Sequence, residues 1–568
     1  MKLSHIYKSV GVGLLFCGLA ATTSCSDMLD TVPQGQFTAE QLDESSINGL
    51  IASAYAGLEA HFFGNNEAFA GPSTNWIFDV RSDDAYKGGG GTGMEENIHL
   101  LEVSEINSDN VSCLNKWQNN YYAISRVHNA MEAMQQNTSV DFSSQMGEMK
   151  VLRAWYYFDL IRIFKRIPYF TSTAEANTAP NDQYTREEIF SFIKKDLEEA
   201  IAVLPAEKSA VGRITKTTAQ AILAKVCAFT SDWEGVKANA GAVIASGQYS
   251  LYNNFGDLSK IKFNNGAESI FALQTSTAAD NAHINWCNLL NCTYSDGNLY
   301  GQGDDFFYGS QNLVNAFRTD ANGLPFLDGS FNKVNVTENY DGSLDPRLDF
   351  TVGRIGFPWR GHQYTAGWCR AYDVYGEFSN KKAWEAPENA LAGFPWGSSA
   401  LNFMFLRYAD ILLLQAEALI ETADKANANE EDENGNLRQA RALINQVRQR
   451  AANSVDGNYS PADLDPFKAD YHVGLYPTDW DGNLAWTKNR ATLALRMERR
   501  LELALEGNRW FDLVRWGDDY LIKTMNTYME EESKLRQYYA GRSVSANEIF
   551  LPIHVDEVDN SNGLYKQF

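Results

Sequence analysis

Basic residues are in short supply: 48 Lys and Arg stand against 72 Asp and Glu, a formal net charge of −24 over 568 residues. Binding a phosphate backbone needs a basic face that releases counterions, so nucleic acid is excluded as a partner. Histidine is scarce as well, 8 in all, scattered at positions such as His61, His99, His128 and His283. There is no His-Glu-x-x-His helix, no Gly-x-Ser-x-Gly elbow and no Cys/His metal spacing, so neither a metal nor a cofactor is expected. A pair of glycosidase carboxylates stays open, because any of the 72 acids could converge in space. Of the 7 cysteines, Cys17 and Cys25 fall in the N-terminal segment, leaving Cys113, Cys227, Cys287, Cys292 and Cys369. An odd set spread so widely is no disulfide framework. Cys287 and Cys292 are close enough for one local bridge, the plainer reading being small core residues. Long apolar runs are missing too: the most apolar stretch, 403–420, is broken by Arg407, Asp410 and Glu417 and cannot span a bilayer.

What is present begins with an export signal. Lys2 and Lys8 precede an apolar stretch at 10–21, too short for a membrane span, and the small residues Ala21, Thr22, Thr23 and Ser24 lead into Cys25. This is the arrangement a lipoprotein signal peptidase needs before it leaves a lipid-modified cysteine at the new terminus. Thr22 stands where such a box usually has Leu. The reading is a signal peptide at 1–24, lipidation at Cys25 and a tether at 25–40.

A 44% hydrophobic share supports a globular core, and helical periodicity dominates both ends of the chain. Residues 151–164 place Leu152, Trp155, Tyr156, Leu160 and Ile163 on one side, and Pro168 stops the pattern. Residues 184–204 repeat it up to Pro205; 215–230 and 231–244 form a pair capped at Gly247. A second pair follows at 408–423 and 437–451, and a last helix at 491–506 ends at Gly507. Antiparallel pairs with Ala at the crossings are the unit of a tetratricopeptide-like stack, although the strict repeat signature is absent. The fold class expected is all-α: a helical-hairpin scaffold at 41–250 and 406–568, packed as one domain. Between them, 251–405 should be irregular and loop-rich, with short strands and a ligand surface.

Tyr and Trp, 27 and 13, together outnumber the 31 Phe, favouring rings that carry a polar handle. Two places combine rings with carboxylates and guanidiniums, a mixture suited to a sugar's apolar C–H face and hydroxyl fringe. One is Trp76 with Asp79, Arg81, Asp83 and Tyr86; an internal salt-bridge network is an equal reading for Asp79, Arg81 and Asp83. The other is the middle region. The candidate ligand-binding residues are Asn66, Trp76, Arg81, Asp83, Tyr86, Trp286, Tyr294, Tyr300, Trp359, Arg360, Trp368, Arg370, Tyr372 and Trp396, on a surface expected to lie apart from the C-terminal helical motifs. The glycine run at 88–91 matches a phosphate loop only in spacing, because Met94, Glu95 and Glu96 follow where a Lys is required. Asp479, Asp481 and Asn483 mimic the start of a calcium loop without its later Gly and Glu, so they read as a turn.

In chain order, several motifs carry a resemblance. These are Cys-Ser-Asp-Met-Leu-Asp at 25–30; Arg-Ala-Trp-Tyr-Tyr-Phe at 153–158; Gly-Arg-Ile-Thr-Lys at 212–216; and Arg-Tyr-Ala-Asp-Ile-Leu-Leu-Leu at 407–414. Further on come Asn445 with Arg448; Arg496, Glu498, Arg499 and Glu502; Glu-Gly-Asn-Arg-Trp-Phe-Asp-Leu at 506–513; and Leu-Pro-Ile at 551–553. The set resembles the SusD/RagB family of outer-membrane glycan-binding lipoproteins of Bacteroidetes, over the whole mature chain. The resemblance implies an all-helical tetratricopeptide-like scaffold and a non-enzymatic protein that captures oligosaccharide or polysaccharide at the cell exterior. It also implies delivery to a SusC-like TonB-dependent transporter and contact with the membrane through the lipid anchor alone. The alternatives are a surface glycoside hydrolase and a helical-repeat scaffold that binds proteins. Residues 509–515 read as a buried helix seam with an Arg/Asp lock.

Overall fold

The computed structural model describes residues 43–59, 76–277, 290–294, 300–301, 303–382, 384–391, 399–423, 435–454, 470–477, 479–480 and 484–567. Cys25, Asn66, Trp286 and Trp396 lie outside them, as does the side chain of Trp76.

The scaffold is built from α1 (Glu44–Ala56), α2 (Val111–Gln136), α3 (Ser143–Ile163), α4 (Arg186–Val203), α5 (Lys216–Phe229) and α6 (Trp233–Ala245). After the middle region it continues with α7 (Tyr408–Glu421), α8 (Asn436–Asn453), α9 (Lys488–Leu503), α10 (Arg509–Arg515) and α11 (Asp518–Glu532). Each helix from α1 to α8 packs on the next, so α6 meets α7 across the whole middle region and the two helical blocks form one continuous stack. Local chemistry sets the helix ends. Thr185 and Glu188 close a capping box on α4, and the Thr215 and Asp232 side chains accept from backbone N–H groups at the starts of α5 and α6. Small buried residues allow close approach: Ala221, Ala224 and Ala228 on α5, and Ala409, Ala416 and Ala418 on α7.

The helices expected at 151–164, 184–204, 215–230, 231–244, 408–423 and 437–451 are present with ends displaced by a few residues, α3 starting earliest of all at Ser143. α9 stops at Leu503, short of Gly507. α2, the longest, has no counterpart in the periodicity because the buried face of its first half is rich in polar residues, Asn115, Lys116, Asn119 and Asn120, and a mainly apolar face begins only at Ala123. Lys116 forms a 3.0 Å ion pair with Asp159 of α3, which also accepts from Asn120 at 3.2 Å.

Short antiparallel ribbons organise the middle region. β1 (Ala85–Gly88) pairs with β3 (Phe306–Gly309), and β2 (Ser269–Leu273) pairs with β6 (Phe403–Arg407), while β4 (Pro358–Trp359) and β5 (His362–Gln363) form a hairpin. The β2–β6 ribbon closes the base of the region and runs straight into α7. Trp155 of α3 meets Phe271 edge-on at 5.4 Å, and Phe271 lies 5.2 Å from Phe405, so ring packing ties the ribbon to the scaffold.

Candidate functional site

The glycine run and the middle region meet through the β1–β3 ribbon, in which Tyr86 faces Tyr308 and Gly88 faces Phe306. Gly88 and Gly89 have φ of +76° and +72°, and the Gly89 N–H donates to the Asp305 carbonyl at 2.8 Å. A Cβ on Gly88 would sit 2.5 Å from that carbonyl oxygen, so both the backbone conformation and the space require glycine. The turn is thereby held under Arg370, whose Nε would lie 3.4 Å from a Cβ on Gly90.

Arg370 is the centre of the polar surface here. Its guanidinium lies 5.6 Å from the Tyr294 ring centroid and pairs with Asp304, whose side chain is 41% exposed. Its backbone N–H donates to Asp305 at 3.1 Å, and the Tyr294 N–H donates to the Trp368 carbonyl at 3.2 Å. Tyr372, two residues beyond, opens a short helix and is 48% exposed. Tyr294, Arg370 and Tyr372 are thus the expected site residues that reach the surface among those described.

Beneath this rim lies a separate aromatic core of Tyr300, Trp359, Tyr364, Trp368 and Trp384 with Cys292 and Cys369. Trp359 stacks on Tyr364 at 5.3 Å, donates from Nε1 to the Tyr300 hydroxyl at 3.1 Å, and lies 5.6 Å from Trp368. Arg360, with φ of +46°, donates to the Trp384 and Lys381 carbonyls at 2.9 and 3.1 Å. Tyr300, Trp359, Arg360 and Trp368 were expected to face ligand; that expectation is corrected, because their rings and guanidinium are buried in this core and bonded within it. Their contribution is support: Trp368 anchors Tyr294 through its carbonyl. Asp305 is buried at the junction. Burial pushes its carboxyl up to about 7, against the opposing hydrogen bonds from Tyr308, Ser379 and the Arg370 N–H.

A second correction concerns Arg81, Asp83 and Tyr86, all fully buried. The Asp83 carboxylate accepts two bonds from Arg509 at 2.7 and 2.9 Å and lies 3.2 Å from Arg500. Burial alone would raise its carboxyl, but these two guanidiniums outweigh burial and hold it down at about 2. Arg81 stacks on Trp510 at 4.0 Å and donates to the Glu548 carbonyl, and Tyr86 donates to Glu532 at 2.5 Å. Asp79 accepts from the Gly507 N–H at 3.0 Å. The segment is therefore an internal polar lock, and it packs directly on the C-terminal motifs instead of lying apart from them. Sequence could not show this, because the partners are more than four hundred residues away.

Two features had no sequence signal. Asp304, which completes the rim, is one of many acids in a loop. A cleft of about 670 Å3 also opens among α2, α3, α4 and the segment after α3, lined by Tyr169, Tyr184 and Phe192 with the Arg153–Asp196 ion pair. None of the expected site residues that the structure describes lines it. Among the described residues, no group of His, Cys, Asp or Glu is arranged to hold a metal ion, and no helix is long and apolar enough to cross a membrane.

The family model described as the SusD family matches residues 267–568, more than half of the chain. The chain belongs to the SusD family. A second model, described as starch-binding associating with outer membrane, matches residues 44–227 of this SusD-family chain. It is 24% identical over 542 residues to a SusD-like protein of Bacteroides ovatus, covering 90% of this chain and 82% of that one. Its fold is similar to that of a SusD superfamily protein from Bacteroides vulgatus, with a TM-score of 0.69, 21% identity, and coverage of 92% and 98% of the two chains. It is likewise similar to surface glycan-binding protein A from Bacteroides thetaiotaomicron in complex with laminarihexaose. There the TM-score is 0.65 and the identity 19%, covering 92% of this chain and 99% of that one.

Proposed function

We propose that this SusD-family chain is a cell-surface lipoprotein, anchored through Cys25, that binds an oligosaccharide or polysaccharide without cleaving it and hands it to a SusC-like TonB-dependent transporter. The observation that carries the reading is the rim of Tyr294, Arg370 and Asp304, seated on a rigid aromatic core. A ring face for the C–H surface of a sugar, beside a guanidinium and a carboxylate for its hydroxyls, is chemistry suited to carbohydrate. A solved relative of the same fold holds laminarihexaose, which supports glycan as the ligand class. The candidates Asn66, Trp76, Trp286, Tyr372 and Trp396 complete the proposed surface.

The non-catalytic reading is supported by how the two rim acids are used. Asp304 pairs with Arg370, while Asp305 is buried and accepts from Tyr308 and the Arg370 N–H. The test is a binding screen of the purified protein on a polysaccharide panel, with each mixture assayed for new reducing ends. Retention of at least one glycan with no new ends is expected. Steady release of ends that depends on one Asp or Glu would establish the hydrolase instead. Cys25→Ala should abolish incorporation of labelled fatty acid and release the protein from membranes; persistent labelling would remove the anchor from Cys25.

A further inference from the structure

The guanidinium of Arg496 differs from the other arginines around it. It lies over the Tyr520 ring at 4.1 Å and near the Trp516 ring at 4.8 Å. Among the described residues it forms no ion pair and no hydrogen bond, and its Nε is buried without a partner. Its neighbours are satisfied: Arg509 is bidentate on Asp83, and Arg500 donates to Asp84 at 2.7 Å and to Asn312 at 2.9 Å. These three arginines line a cavity of about 200 Å3 between α9, α11 and the turn at 327–331, and Asp83 is the one carboxylate among the lining residues. Since Asp83 is already taken by Arg509 and Arg500, and Arg500 also pairs with Asp84, one positive charge of the cavity is left without a counter-charge among the described residues. That is conspicuous in a chain whose net charge is −24.

We propose that this cavity binds the carboxylate of a single acidic sugar, a uronate, with Arg496 as the group that grips it. Two rings lie against the guanidinium and restrict it, and a guanidinium edge matches a carboxylate with two parallel bonds. The volume is below the range of about 300–1,000 Å3 typical of larger ligands, so it takes one ring and not a chain. Leu327, Phe331 and Leu493 give the cavity an apolar wall for a C–H face, and Thr524 offers a hydroxyl. The carboxylate follows from the arginine; the sugar part rests on the glycan reading above. The cavity is separate from the Arg370 rim and shares no residue with it.

Full-length protein would be titrated with D-glucuronate, D-glucose, acetate and sulfate, with melting temperature and neutral-polysaccharide binding followed in parallel. Glucuronate should bind in about the millimolar range and raise the melting temperature, while glucose does neither. Arg496→Gln should weaken glucuronate about tenfold or more. Arg496→Lys, which keeps the charge without the fork, should weaken it less and guards against a folding defect in the first variant. Glucuronate binding no tighter than glucose, or unchanged in Arg496→Gln, overturns the proposal. Acetate or sulfate binding as tightly as glucuronate overturns it too, since charge alone would then suffice. Neutral-polysaccharide binding that persists while glucuronate fails removes this cavity and leaves the rim; the opposite pattern removes the rim.

Discussion

Arg370 lies between an aromatic ring and a carboxylate, while Trp359 is buried and enclosed by other rings, and the two should respond differently to truncation. Tyr294→Ala and Arg370→Ala remove groups that reach solvent, so each should cost on the order of 1 to 3 kcal/mol of glycan affinity, read by titration, with little change in melting temperature. Trp359→Ala empties a core position and should cost about 3 to 5 kcal/mol of stability, read by denaturant unfolding. Asp83 behaves as a core residue despite its charge. Asp83→Asn leaves Arg509 buried against a neutral neighbour while Arg500 keeps Asp84, and about 3 to 5 kcal/mol of stability should be lost. A loss of glycan affinity at unchanged stability in that variant would return Asp83 to the ligand surface.

The β1–β3 ribbon connects the glycine turn to Asp305, and its behaviour depends on both. Gly88→Ala adds a Cβ where φ is +76° and a carbonyl oxygen lies 2.5 Å away. The ribbon should be weakened by more than about 1 kcal/mol, and hydrogen exchange should quicken at residues 85–88 and 306–309. Asp305, with its folded carboxyl pushed up to about 7 by burial, keeps its proton between about pH 4 and pH 7, where the unfolded chain has released it. Its contribution to stability therefore falls as pH rises through that window and levels off above about pH 7. Asp83 has the opposite sign: its folded carboxyl is depressed, so the stability it confers is present above about pH 4 and is lost as pH falls towards about 2. Unfolding free energies between pH 4 and pH 8 should lose part of their downward slope in Asp305→Asn; an unchanged slope would show that Asp305 is ionised in the folded chain.

The molecule as a whole is held together by charge pairs that run across it. Arg407 of β6 bridges Glu268, Glu502 and Glu506, and Arg450 of α8 shares Glu268 and Glu502. Arg499 of α9 joins Asp410 of α7 to Asp512 of α10, where Lys225 of α5 also reaches Asp410 at 2.9 Å. These pairs lie where the strands and helices that frame the middle region converge. The cost of burying them is offset only while every member is answered, so breaking one should affect the whole stack. Trp510→Ala, which also removes the platform under Arg81, should cost about 3 to 5 kcal/mol and lower the single unfolding transition without splitting it. A separate transition for the middle region would show that the pairs do not couple it to the scaffold.

Local chemistry was enough to read the scaffold. Apolar spacing, Pro168 and Pro205 as stops and alanine at the crossings are properties of neighbouring residues, so they mark α3 to α8 from the chain itself, whereas the capping box of Thr185 and Glu188 emerged from the structure. The ordered motifs at 407–414 and 506–513 carried the family in the same way. α2 was not legible, because the first half of its buried face carries polar residues, of which Lys116 and Asn120 are answered by Asp159 on another helix. The site was only partly legible for the same reason: a ring beside an arginine looks alike at 359–360 and at 368–370. Tertiary structure sends Trp359, Arg360 and Trp368 inward and leaves Arg370 at the surface, and it gives Asp83 its partners in Arg500 and Arg509. Whether a ring or a charge faces water is settled by what packs on it, and that is fixed by contacts between residues hundreds of positions apart.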